Sequence, residues 1–209
     1  MTADVPAVTV LTDRRQAERA GHSLGTAVAA ALDAGAGAVL LREKDLPAAD
    51  RHRLAEALRA ATSARGAELW VAGDADLACA VGADGVHLAA DAPWPTPAAD
   101  LRSGRSCHTV AELAAARDEG AARATYSPVY ATASKPGYGP ALGPDGLAAG
   151  CAAVPELAVV ALGGVEPGRA RGSLAAGAAG VALMGAVMRA DDPAGVVRSV
   201  IDELRRAEA

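Results

Sequence analysis

Thr132, Ser134 and Lys135 put two hydroxyls and one ammonium into the short segment that runs from Tyr126 to Pro140. Pro136 and Gly137 keep that segment out of a helix. Hydroxyl donors beside a point positive charge suit a phosphate or another anion. A second group is Arg42-Glu43-Lys44-Asp45. Residues two apart on a strand point the same way, so Arg42 and Lys44 face one side, and two converging cations would bind a polyanion. The same alternation pairs Ser106 with His108 across Cys107. A histidine titrates near neutrality, so His108 is a candidate general acid or base. Gly163-Gly164 and Met184-Gly185 form a fourth group, where missing side chains let an anion approach the main chain. Of the other histidines, His22 and His52 are expected in helices, and His87 within a strand as a satisfied core or rim residue.

These groups can act together only if the fold brings them together. Short apolar, β-branched runs alternate with alanine-rich helical segments along the chain. Strands are predicted at Val8–Thr12, Ala38–Arg42, Leu69–Ala72, Gly85–Leu88, Gly104–Cys107, Thr125–Val129, Val159–Leu162 and Val181–Met184. Helices are predicted between them, among them Thr26–Asp33, Ala48–Thr62, Val110–Glu119, Gly168–Ala176 and Pro193–Ala207. Glycine recurs where a helix should end before the next strand, as in Ala34-Gly35-Ala36-Gly37. The strands are apolar throughout, as expected when both faces are covered. Eight such units predict an α/β protein, a compact (β/α)8 TIM barrel occupying residues 1–209 as one domain. In that architecture the four groups fall at the carboxyl ends of strands two, five, six, seven and eight, where barrel chemistry collects.

Composition narrows the partners. Lys+Arg 20 against Asp+Glu 25 gives a net charge of −5, which argues against a nucleic-acid footprint. With two Trp, three Tyr and no Phe, the core must be built from Ala, Val and Leu. Cys79, Cys107 and Cys151 match neither a zinc pattern nor a disulfide framework, and read as reduced, mostly buried thiols. No basic leader opens the chain, and no apolar run approaches the ~20 residues of a membrane span, so a cytoplasmic location is expected.

At these residues the chain resembles the thiamine phosphate synthase and thiazole tautomerase superfamily. The resemblance covers nearly the whole length. It is carried by Leu41-Arg42-Glu43-Lys44, by Val81-Gly82-Ala83-Asp84-Gly85-Val86-His87-Leu88, by Gly104-Arg105-Ser106-Cys107-His108, by Pro128 through Lys135, and by Ala161-Leu162-Gly163-Gly164-Val165. It implies a barrel that binds thiazole phosphate and, in the synthase branch, a pyrimidine pyrophosphate as well. The synthase resemblance also implies Mg²⁺ held by an Asn-Asp pair after the third strand and an Asp after the fourth. Those positions are Ala72, Gly73 and Ala92 here, and Leu40 stands where the synthases have glutamine. Asp74 and Asp91 are each displaced by one residue, which reverses side-chain direction on a strand.

The thiazole side matches at Thr132, Ser134, Lys135, Gly163, Gly164 and Gly185. That contrast leads to the expectation of a thiazole tautomerase-like isomerase, needing no cofactor, that aromatises a thiazole phosphate carboxylate by a 1,3-proton shift. His108 would move the proton, and Arg42, Lys44, Ser106, Thr132, Ser134, Lys135, Gly163, Gly164, Met184 and Gly185 would bind the substrate. The alternatives are a Mg²⁺-dependent thiamine phosphate synthase with relocated ligands, and a catalytically silent binder of thiazole phosphate. The expected partner is a small thiazole phosphate, with neither nucleic acid nor membrane, and assembly into a homo-oligomer is left open.

Overall fold

The computed structural model describes residues 5–94, 101–132 and 140–208. Eight parallel strands close into a barrel: β1 (Val8–Leu11), β2 (Ala38–Leu41), β3 (Glu68–Ala72), β4 (Gly85–Leu88), β5 (Arg102–Cys107), β6 (Arg123–Tyr126), β7 (Ala158–Leu162) and β8 (Gly180–Leu183). Each pairs with the next in sequence, and β1 pairs with β8 to complete the circle. This is the (β/α)8 barrel the strand pattern predicts. Around it lie α1 (Arg14–Arg19), α2 (Leu24–Asp33), α3 (Ala48–Ser63), α4 (Ala75–Ala80), α5 (Val110–Asp118), α6 (Gly143–Ala153), α7 (Ala170–Ala175), α8 (Gly185–Met188) and α9 (Pro193–Glu208). No described helix is long and apolar enough to cross a membrane.

Strand alternation divides the core in two. Leu11, Ala38, Leu40, Trp70, Ala72, Val160 and Ala182 form one buried cluster inside the barrel. Val10, Val39, Leu41, Val71, Val86 and Val181 belong to a second, larger one shared with the helices. Most interior side chains are small, and Trp70 fills the space they leave, with Nε1 donating to Glu68 at 2.8 Å. The guanidinium of Arg123 stacks on the Trp70 ring at 3.7 Å.

Several elements differ from the sequence expectation. β6 starts at Arg123, earlier than the expected Thr125–Val129, and ends at Tyr126, short of Pro128, which has no N–H to continue the ladder. β5 begins at Arg102, two residues before the expected start. The helices α1 and α4 are only six residues each, too short to show a periodic apolar face. Their signals are local instead: Asp13 accepts from Gln16 N–H at 3.0 Å, and Asp74 from Leu77 N–H at 2.9 Å, as N-caps. His22 sits between α1 and α2 rather than in a helix, with Nε2 2.9 Å from the carbonyl of Ala190. Cys107 is buried but Cys79 is exposed and Cys151 half-buried, so the thiols are less sequestered than composition suggests.

Candidate active site

One cavity of about 770 Å³ opens at the carboxyl ends of the strands. Arg42, Lys44, Ser106, His108, Thr132, Gly163, Gly164, Met184 and Gly185 all line it. Ser134 and Lys135 lie outside the described residues.

The cationic end is a product of strand alternation continued past β2. Glu43 turns outward, is buried, and accepts from the Arg14 guanidinium at 2.8 Å and from the Arg14 N–H at 3.0 Å. Asp45 pairs with Arg14 and with Arg15, each at 2.7 Å. Arg42 and Lys44 are therefore left facing the cavity. The Arg42 N–H donates to Thr12 Oγ1 at 2.8 Å, and its guanidinium donates only to Met184 Sδ, at 3.5 Å, among the described residues. The Lys44 ammonium is held below its ordinary pKa by partial desolvation first, and then by repulsion from Arg42 and Arg51.

Beyond β3 the chain turns at Gly73, whose φ of +69° suits glycine. A Cβ there would sit 3.0 Å from Lys44 Nζ. The neighbouring groups are engaged elsewhere. The Ala72 carbonyl accepts from Arg51 at 2.6 Å, and Asp74, besides capping α4, accepts from Arg51 at 3.0 Å. From the loop after β4, Asp91 lines the cavity. Arg105 holds that loop in place. Its Nη1 donates to the carbonyls of Ala89, Ala90 and Ala92 at 2.9, 3.2 and 2.6 Å, its Nη2 pairs with Glu119 at 2.7 Å, and it stacks on Trp94.

His87 forms part of the floor. Its Nε2 lies 3.1 Å from Ser106 Oγ and 3.2 Å from Thr125 Oγ1. The other ring nitrogen, Nδ1, is buried without a partner, so the ring is not the fully satisfied core or rim residue expected from sequence. Burial, then the charges of Arg123, Lys44 and Arg105, hold its pKa down to about 3, which keeps the ring neutral. What reveals it is the strand register: His87 lies opposite Gly104, and a Cβ at Gly104 would come within 2.8 Å of Nδ1. His108 stands higher on the wall. Its Nδ1 is 2.8 Å from the Ser127 carbonyl, which can only accept, so that nitrogen carries a proton.

The far wall is the loop after β6 laid across the end of β7. Val129 N–H donates to Leu162 O and Tyr130 N–H to Gly163 O, both at 2.9 Å. This close approach uses the glycines directly. At φ values of +92° and +65°, a Cβ on Gly163 would be 2.8 Å from Pro128 Cα, and one on Gly164 2.5 Å from the Ala131 carbonyl. Their space is thus filled by the loop that brings Pro128, Ala131 and Thr132 to the cavity. Met184 caps α8 and Gly185 begins it, with the Arg189 guanidinium packed over Gly185. Sequence reasoning missed Arg169 and Arg189, which also line the cavity and come from helical segments with no strand-end signal.

The Mg²⁺ site implied by the synthase resemblance does not fit these residues. Among the described residues no three or more His, Cys, Asp or Glu side chains are grouped to hold a metal. Asp74 is committed to Arg51 and its cap, and an ammonium borders the Cβ position of Gly73.

A family model described as thiamine monophosphate synthase matches residues 8–187. The chain is 43% identical over 197 residues to a putative thiamine-phosphate synthase of Geobacter sulfurreducens, covering 92% of this chain and 91% of that protein. It is 44% identical over 185 residues to the thiamine biosynthesis bifunctional protein ThiM/ThiE of Symbiobacterium thermophilum, covering 86% of this chain but spanning only 38% of that longer protein. Among solved structures it resembles a thiamine phosphate pyrophosphorylase from Pyrococcus furiosus, with TM-score 0.84, 29% identity, and coverage of 97% and 96% of the two chains.

These comparisons overturn the tautomerase expectation and the isomerase class with it. That expectation rested on the missing carboxylates at Ala72, Gly73 and Ala92. Such residues decide how a leaving group's charge is neutralised; they do not decide which bond is made.

Proposed function

The chain belongs to the thiamine monophosphate synthase family, and from that premise we propose that it makes thiamine phosphate. The reaction joins a thiazole phosphate to a pyrimidine carried as its pyrophosphate ester. The C–O bond to the pyrophosphate breaks, and its electron pair leaves with the phosphate oxygen. The thiazole nitrogen supplies the pair for the new C–N bond. The observation that carries this reading is the 43% identity, over 92% of this chain and 91% of its relative, to a putative thiamine-phosphate synthase.

The geometry supports a division of labour. Arg42 and Lys44 face the cavity without a carboxylate partner among the described residues, so they suit the pyrophosphate. Negative charge grows on that group as the C–O bond breaks, and fixed cations stabilise it most at that moment. Thr132 and the main chain at Gly163 and Gly164 suit the thiazole phosphate, and Ser134 and Lys135 are assigned to the same substrate from their sequence match alone. Ser106, Met184 and Gly185 complete the wall, and His108 orients the thiazole through a ring whose Nδ1 is tied to Ser127. At about 770 Å³, the cavity is in the upper part of the ~300–1,000 Å³ range of small-molecule sites, which suits two ring substrates held together.

The test is to incubate the purified protein with thiazole phosphate and the pyrimidine pyrophosphate, with Mg²⁺ and separately with EDTA. Thiamine phosphate is measured by chromatography and pyrophosphate by a coupled assay. Equal amounts of both products are expected. Absence of both under both conditions refutes the reading.

A further inference from the structure

Resting on the synthase reading, we infer that Lys44, with Arg42, replaces a protein-held divalent ion, so that pyrophosphate is bound and released on two fixed cations. Three observations converge on this. The first is steric. The Lys44 side chain borders the position where a side chain at residue 73 would begin, with Nζ at 3.0 Å and Cε at 3.2 Å from a Cβ on Gly73. An acid at that point would meet an ammonium before it met a metal.

The second is the disposition of the acids. Glu43, Asp45 and Asp74 are all bound by arginines that face away from the cavity or lie behind it. Asp91 is left on this side of the cavity, and its negative charge acts on Lys44. A dication at Asp91 would therefore have to compete with a cation that the protein already supplies. Mg²⁺ also dehydrates reluctantly and needs near-octahedral oxygen ligands, which one carboxylate beside an ammonium supplies poorly.

The third is the unpaired state of the cations. Arg42 and Lys44 face the cavity together, with neither in an ion pair among the described residues. Like charges held together repel, and Arg42 disfavours the charged form of Lys44. A polyanion placed between them removes that repulsion and gains charge-assisted hydrogen bonds from both. Pyrophosphate carries enough charge and oxygen atoms to engage the two at once.

The experiment is calorimetric titration of the full chain with inorganic pyrophosphate, first in EDTA and then in Mg²⁺, alongside the product assay in the same buffers. Pyrophosphate is expected to bind in EDTA, with affinity changing by less than about threefold on adding Mg²⁺. Lys44→Met is expected to weaken that binding by about tenfold or more, and Lys44→Arg to recover part of it. Lys44 is exposed, so both variants should fold, and circular dichroism checks this. Product formation should persist in EDTA. Pyrophosphate binding or product formation that occurs only with Mg²⁺ overturns the inference and leaves the synthase reading standing. Equal binding by wild type and Lys44→Met also overturns it. If neither buffer yields thiamine phosphate, the synthase reading falls, while the titration still decides whether the site takes pyrophosphate without a metal.

Discussion

Replacing Arg105 by methionine should loosen the loop after β4 without disturbing the barrel. Arg105 is almost fully buried, and its guanidinium reaches three loop carbonyls and Glu119. A hydrogen bond to a charged group contributes about 1.5–3 kcal/mol, so a simple sum would run to ~6 kcal/mol or more. Two features reduce it. Ala89, Ala90 and Ala92 are only half-buried and Glu119 is partly exposed, so water recovers much of what is lost. Arg105 Nε is buried without a partner, and its removal relieves that desolvation. The expected net cost is ~2 kcal/mol, which for a chain of this size lowers Tm by about 4–8 °C. Urea denaturation followed by far-UV dichroism gives the first number and a thermal scan the second. The kinetic signature should be a raised KM for the pyrimidine substrate, because Leu88, Ala89, Ala90 and Asp91 bring this loop to the cavity. Arg105→Lys, with a single ammonium, should recover about half the stability. A methionine variant within ~0.5 kcal/mol of wild type, with unchanged KM, would show that the loop holds its shape without the guanidinium.

Gly164→Ala should cost at least ~2 kcal/mol in denaturant unfolding and raise the KM for thiazole phosphate, since its φ is +65° and the new Cβ would meet the Ala131 carbonyl. Wild-type stability in that variant would mean that the loop after β6 can lift off β7 at no cost. Thiol labelling of the native protein at pH 8 should modify Cys79 first, because burial pushes Cys107 up to about 12 and Cys151 up to about 11. Three equal labelling rates in the native state would contradict that. His87 binds a proton near the ordinary histidine value of 6.5 when unfolded, but only at about 3 when folded. The unfolded chain therefore holds the extra proton between those limits, and stability falls as pH drops from 6.5 towards 3, by about 1.4 kcal/mol per pH unit from this residue. His87→Gln should flatten the stability-against-pH curve in that window, and an unchanged slope would refute the assignment.

The parts of the site that were legible in the sequence are those written in period two. Arg42 with Lys44, and Ser106 with His108, were placed on one face by alternation alone, and all four line the cavity. His87 obeys the same rule but could not be read, because a histidine inside an apolar strand looks the same whether it meets a core or a cavity floor. Only its register with Gly104 separates the two. The short helices α1 and α4 carry no bounds in the sequence reading, because six residues give fewer than two turns of pattern, and their N-cap aspartates are the usable signal. The glycines of the far wall were read as open main chain, whereas the loop after β6 occupies their Cβ space. The reaction is not legible in the sequence for a different reason: the ligand side chains absent at Ala72, Gly73 and Ala92 bear on the leaving group and not on the bond that is made.

The sign of the charge at the barrel mouth is set by register. In Arg42-Glu43-Lys44-Asp45 the charges alternate with the period of a strand, so one face collects cations and the other acids. Arg14, at the start of α1, binds both Glu43 and Asp45 and thereby anchors the acidic face outward. A one-residue slip would turn the two acids to the cavity and build a carboxylate pair suited to a divalent ion. The Arg14 contacts oppose that slip, because it would bury two arginine-bound carboxylates against the cavity and strand Arg14 without partners. Arg51 acts in the same way after β3, holding both the Ala72 carbonyl and Asp74. Arginines outside the cavity thus draw Glu43, Asp45 and Asp74 away from it, and this leaves Arg42 and Lys44, with Asp91 on the same side, to meet an incoming pyrophosphate.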